Sequence, residues 1–116
     1  MDSEKENTSK TDQEIVEEYI EIAQKAEEKD SPKEVVLFLK YLVVSMDDLG
    51  MLNMQELRER YTNSLEELKK LDDFNKENVK NILYEDEPER IEEEIKEAEN
   101  LRCELEEVFS SIKNGN

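Results

Sequence analysis

The sequence predicts an all-α protein, a small antiparallel helical bundle of four long helices and one short helix, on three observations. Ala, Glu, Lys, Leu and Arg account for 56 of the 116 residues, the composition of long helices and coiled coils. Apolar residues recur at spacings of three and four through most of the chain, the period of a helix with one buried face. Residues that start and stop helices stand between the periodic segments. A mean hydropathy of -0.94 and only 35% apolar residues pull toward disorder. However, Leu, Ile, Val and Phe together number 29, a quarter of the chain and above the roughly 20% below which a core fails to form.

Residues 1 to 10 are polar and aperiodic and are expected to form a disordered leader. Thr11 with Glu14 fits a capping box, in which hydroxyl and carboxylate each satisfy an orphan backbone amide. Ile15, Val16, Tyr19, Ile20, Ile22, Ala23 and Ala26 then form one helical stripe ending near Lys29. Ser31 and Glu34 read as a second box, with Pro32 at the first helical position. Val35 to Leu49 is apolar nearly all round, which marks the most enclosed helix. Gly50 is a left-handed C-terminal stop, Asn53 with Glu56 a third box, and Leu52 a staple to Leu57. The third helix carries Met54, Leu57, Tyr61, Leu65, Leu68 and Leu71. Phe74 precedes a short fourth helix from about Lys76 to Tyr84, with Val79, Ile82 and Leu83. Pro88 opens a last helix running to about Lys113, its positions 91, 95, 98, 102, 105, 109 and 112 in a 4-3 heptad register that is apolar except for Arg102 at an a position, and residues 114 to 116 form a tail. Residues 11 to 113 are thus expected to form one domain.

Absences narrow the chemistry. There is no His, and one Cys, Cys103, so His-dependent nucleophile systems, His-containing zinc sites and an internal disulfide have no residues to build them. Two glycines leave no phosphate-cradling loop. Residues 1 to 10 lack an apolar run of the secretory kind, and the longest apolar stretch, Val35 to Met46, is too short to span a bilayer. The expected compartment is the cytoplasm, or the nucleus in a eukaryote. No cofactor and no membrane partner is expected.

Charge carries the functional expectation. Acidic residues number 33 against 16 basic ones, a net charge of -17. They concentrate at 11–30, 72–87 and 88–116, whereas 51–71 is balanced. Glu14, Glu17, Glu18 and Glu21 on the first helix, and Glu93 and Glu97 on the last, are like-charge neighbours about a turn apart, an arrangement that costs a few tenths of a kcal/mol per pair. Those faces are candidate contacts for a basic protein partner. Met46, Met51, Leu52 and Met54, clustered at the second turn, are candidate apolar contacts, since methionine-rich surfaces adapt to partner helices. The acidic e and g positions of the last helix oppose a parallel homodimer through that seam. The only cationic cluster, Arg58, Arg60, Lys69 and Lys70, is interleaved with acids, so direct nucleic-acid binding is not expected.

Two further readings come from carboxylates. A straight last helix of about 26 residues is about 39 Å long, and its nine acids fall one per roughly 4 Å, near the 3.4 Å phosphate spacing of a DNA strand. A nucleic-acid-mimicking decoy is therefore an alternative. Glu17-Glu18-x-x-Glu21 is similar to the first half of the Glu-Glu-x-x-Glu and Glu-x-x-Asp signature of the all-α nucleotide pyrophosphohydrolases, whose carboxylates hold Mg²⁺ from two helices. That resemblance implies a Mg²⁺-dependent hydrolase. Its second half departs from the pattern, because Val44 and Ser45, not Glu, precede Asp47 and Asp48 at the required distance. The leading expectation is a non-enzymatic interaction module, an adaptor, assembly subunit or inhibitor.

Overall fold

The computed structural model describes residues 10–114; the leader up to residue 9 and the tail at 115–116 lie outside the described residues. Among the described residues there are six α-helices and one 3₁₀ turn: α1 (Asp12–Glu28), α2 (Lys33–Asp48), the turn (Met51–Asn53), α3 (Gln55–Lys69), α4 (Lys76–Leu83), α5 (Pro88–Asn100) and α6 (Arg102–Lys113). The fold is all-α, but the helix count differs from four long and one short, because the last predicted helix is two.

α2 is the centre. It packs against α1, α5 and α6, while α1 also meets α3, and α4 links α3 to α5. Its buried residues include Val35, Phe38, Leu39, Leu42, Val43 and Met46, so the nearly all-round apolar pattern does mark the enclosed helix. α1 contributes Ile15, Tyr19, Ile22, Ala23 and Ala26 to the same core, and α3 contributes Tyr61, Leu65 and Leu68. Phe74 and Tyr84, flanking α4, are fully buried. A smaller cluster of Leu37, Ala98 and Leu105, with Tyr41 and Val44 against it, joins the other side of α2 to α5 and α6.

The ends of the helices divide into those that follow local sequence and those that do not. At Thr11 both arms of the box are present: its hydroxyl accepts from the Glu14 amide at 3.1 Å, and its own amide donates to Glu14 Oε1 at 3.0 Å. Gly50 stands in the left-handed region at φ 66°. The Ser31 box does not form. Pro32 is the residue before the helix and no side chain caps α2. Ser31 is instead used by the end of α1: its amide donates to the Ala26 carbonyl and that of Asp30 to Glu27, the paired bonds of a Schellman motif. Asp30 takes the left-handed position usually held by glycine, at φ 59°. The Asn53 box also fails, because Asn53 is drawn into the 3₁₀ turn, its amide bonded to the Gly50 carbonyl. An N-cap needs extended backbone, which Met54 supplies instead, without a side-chain bond. α4 has a cap of its own, Asn75 Oδ1 accepting from the Asn78 amide at 2.8 Å.

The break between α5 and α6 is confined to Leu101, at φ -99° and ψ 16°. No proline or glycine causes it. A continuous helix would carry Arg102 into the core at the heptad a position, between Ala98 and Leu105. With the break, Ile91, Ile95 and Ala98 face inward from α5, Leu105 and Phe109 from α6, and Arg102 is exposed. Keeping an unpaired guanidinium out of an apolar interior offsets the local loss of helix geometry.

Candidate interaction surface

Among the described residues the exposed large apolar side chains are Leu49, Met54, Leu101 and Val108, and three of these four come together. Leu49 at the end of α2, Leu101 at the α5–α6 break and Val108 on α6 line a groove of about 170 Å³ with Tyr41 and Val44. Leu105, from the smaller core cluster, forms part of its lining. Acids stand around it. Asp48 and Glu104 line it directly. At the Tyr41 end, burial raises the phenol's pKa, the Ser45 hydrogen bond acts against this, and the neighbouring Glu94 and Glu97 raise it further.

The sequence-predicted apolar contacts are distributed differently. Met46 and Leu52 are buried in the main core, Met51 is half-buried against it, and Met54 alone of the four is well exposed. Leu101 and Val108, at g positions of the last helix's heptad register, are exposed. A g position lies at the edge of an a/d stripe, so the register carries their signal.

The acidic faces are also sorted by the fold. Glu14 is occupied by the cap, and Glu17 accepts from Gln13 Nε2 at 3.3 Å. Glu18 is mostly buried and bridges Lys10, at 2.7 Å, and Lys69. Burial pushes its carboxyl up, but the hydrogen bonds and charges of the two lysines outweigh burial and hold it below the usual range. Glu21, Glu93 and Glu97 are exposed, and none of the six lines the groove. Glu94, next to it, is committed inward: it accepts from the Tyr84 hydroxyl at 2.6 Å and from Arg90 Nε at 3.0 Å.

Two of the larger depressions are lined mostly by charged and polar residues. One, about 710 Å³, lies by the α1–α2 turn and includes Glu27, Lys40, Arg102 and Glu106. Its central charge is already matched, since the buried Lys40 ammonium sits 3.0 Å from Glu27 and 3.5 Å from Glu106, with the Phe109 ring 5.3 Å away. The other, about 820 Å³, runs along α3 past Arg58 and Glu66, and Arg58 is tied to Asp12. Among the described residues no three acidic or cysteine side chains are grouped so as to hold a metal ion. No described helix is long and apolar enough to cross a membrane. The nine-acid row drawn for a straight last helix is divided between α5 and α6 at Leu101. No protein-family model matches the chain, and neither a curated protein nor a solved structure matches it significantly.

Proposed function

We propose that this chain is a non-enzymatic interaction module, of the adaptor, assembly-subunit or inhibitor kind, that binds a protein with a basic surface through the groove between α2 and the α5–α6 break. The observation that carries this reading is the convergence of Leu49, Leu101 and Val108 beside Asp48 and Glu104 on a protein of net charge -17. An apolar centre with a charged rim is the anatomy of a protein interface. A groove of about 170 Å³ is well below the roughly 300–1,000 Å³ of small-molecule sites, and suits one or two anchoring side chains. The acids steer encounter and the apolar contacts set residence time.

The test uses the full chain as bait in lysate of its source cells, beside the Leu101→Asp/Val108→Asp variant. Both positions are exposed, so the variant retains its helical circular dichroism. A partner held by the wild type and lost by the variant supports the reading. A partner held equally by both, or none at all, overturns it. A partner that competitor DNA displaces from both would instead establish the nucleic-acid-mimicking decoy.

A further inference from the structure

Building on the interaction-module reading, we infer that the occupant of the groove is one face of a basic amphipathic helix belonging to another protein. Leu101 and Val108 are seven residues apart, two turns and about 10 Å along a helix axis. They line the groove together with Tyr41 and Val44 of α2 and with Leu49 just beyond its end. Apolar points two turns apart accept anchors spaced i, i+3 or i+4, and i+7 on another helix. An extended peptide has nothing comparable to pair with, because no strand edge is present among the described residues; strand addition depends on such an edge.

Charge chooses between a foreign helix and a second copy. The acids in the groove's lining are Asp48 and Glu104. A second copy docking the same face would bring the same two carboxylates against them, on a body of net charge -17. Apposed like charges disfavour that pairing. A helix with Lys or Arg flanking its apolar face places cations opposite both acids. The interface would then be apolar at its centre and ion-paired at its edge, with an on-rate that falls as salt rises.

The experiment titrates the full chain with three synthetic peptides of about 20 residues, enough for some five turns. The first is a Leu-anchored amphipathic helix with Lys on its flanks, the second is the same helix with Glu for Lys, and the third is the Lys peptide scrambled to abolish its apolar face. Binding is read by fluorescence anisotropy and mapped by amide chemical shifts at about 150 mM salt. The expected result is binding of the first peptide at least about tenfold tighter than the other two. Shifts are expected at Tyr41, Leu101 and Val108, with at least a tenfold loss in Leu101→Asp/Val108→Asp. The Asp48→Asn/Glu104→Gln variant should bind more weakly and with a flatter salt dependence.

Equal binding of the scrambled peptide, or shifts confined to the α1 acids, overturns the inference. So does a dimer in sedimentation that Leu101→Asp/Val108→Asp dissociates, which would make a second copy the occupant. The lysate experiment separates the two levels. A partner captured through the groove but not displaced by the Lys peptide leaves the interaction-module reading standing and removes the helix inference, whereas loss of groove-dependent capture removes the module reading itself.

Discussion

The buried tyrosines of this core differ in what their hydroxyls do. Tyr19 is fully buried and donates to the Tyr61 carbonyl at 2.8 Å, whereas the Tyr61 hydroxyl lies near Tyr84 without a hydrogen bond of ordinary geometry. Tyr19→Phe removes a made bond and is expected to cost about 1 kcal/mol. Tyr61→Phe removes a desolvated hydroxyl without a partner and is expected to be neutral within about 0.5 kcal/mol, or stabilising. Urea midpoints of the two variants decide this, and an equal loss in both would mean that the Tyr61 hydroxyl is bonded. Glu18 gives a pH-dependent prediction. Its folded pKa is lowered, so its contribution to stability is present above the ordinary carboxylate range and is lost as pH falls through that range toward the folded value. The stability gap between wild type and Glu18→Gln is therefore expected to be full above about pH 5 and to close below about pH 4. Thermal melts across that window test it, and a constant gap would show that the ion pairs with Lys10 and Lys69 contribute nothing. Lys40 shows how little of this a sequence reveals. An isolated lysine in an apolar helix does not say that Glu27 and Glu106 meet it from two other helices.

At the scale of elements, success and failure of the local signals have a common cause. The Thr11 box forms with both of its arms in place, and Pro88 opens α5 as its fixed φ allows. Ser31 and Asn53 carry equally good signals, yet each is claimed by the structure before it, one by the end of α1 and the other by the 3₁₀ turn. Both claims depend on a residue at positive φ, which makes them testable. Asp30→Gly relieves the left-handed strain at the end of α1 and is expected to raise stability by about 0.5–1 kcal/mol. At Gly50 a Cβ would stand 3.1 Å from Asn53 Nδ2 in addition to the positive φ, and Gly50→Ala is expected to cost about 1–2 kcal/mol. Chemical denaturation of both variants checks the signs, and a stabilising Gly50→Ala would disprove the described turn. The Leu101 break has no glycine or proline to mark it, and in the sequence only Arg102 at an a position interrupts the apolar heptad. It arises from fitting two apolar faces to one α2 while Arg102 stays in water.

For the molecule as a whole the decisive fact is charge. Even if every basic residue were paired, 17 acids would remain unmatched, so mutual repulsion outweighs what exposed ion pairs contribute. The melting temperature is therefore expected to rise between about 10 mM and about 500 mM NaCl as the Debye length shrinks. An unchanged or falling value would mean that the ion pairs dominate. The helical segments, the central place of α2, the cap at Thr11 and the excess of acid were all determined by the sequence alone. Each rests on periodicity, on bonds reaching three or four residues, or on a simple count. The division of the last helix, the displaced caps, the burial of Met46 and Leu52 and the groove at Leu101 were decided only by the tertiary structure. They depend on which neighbour claims a backbone group first and on which side of a helix another helix covers, and no window of adjacent residues contains that competition.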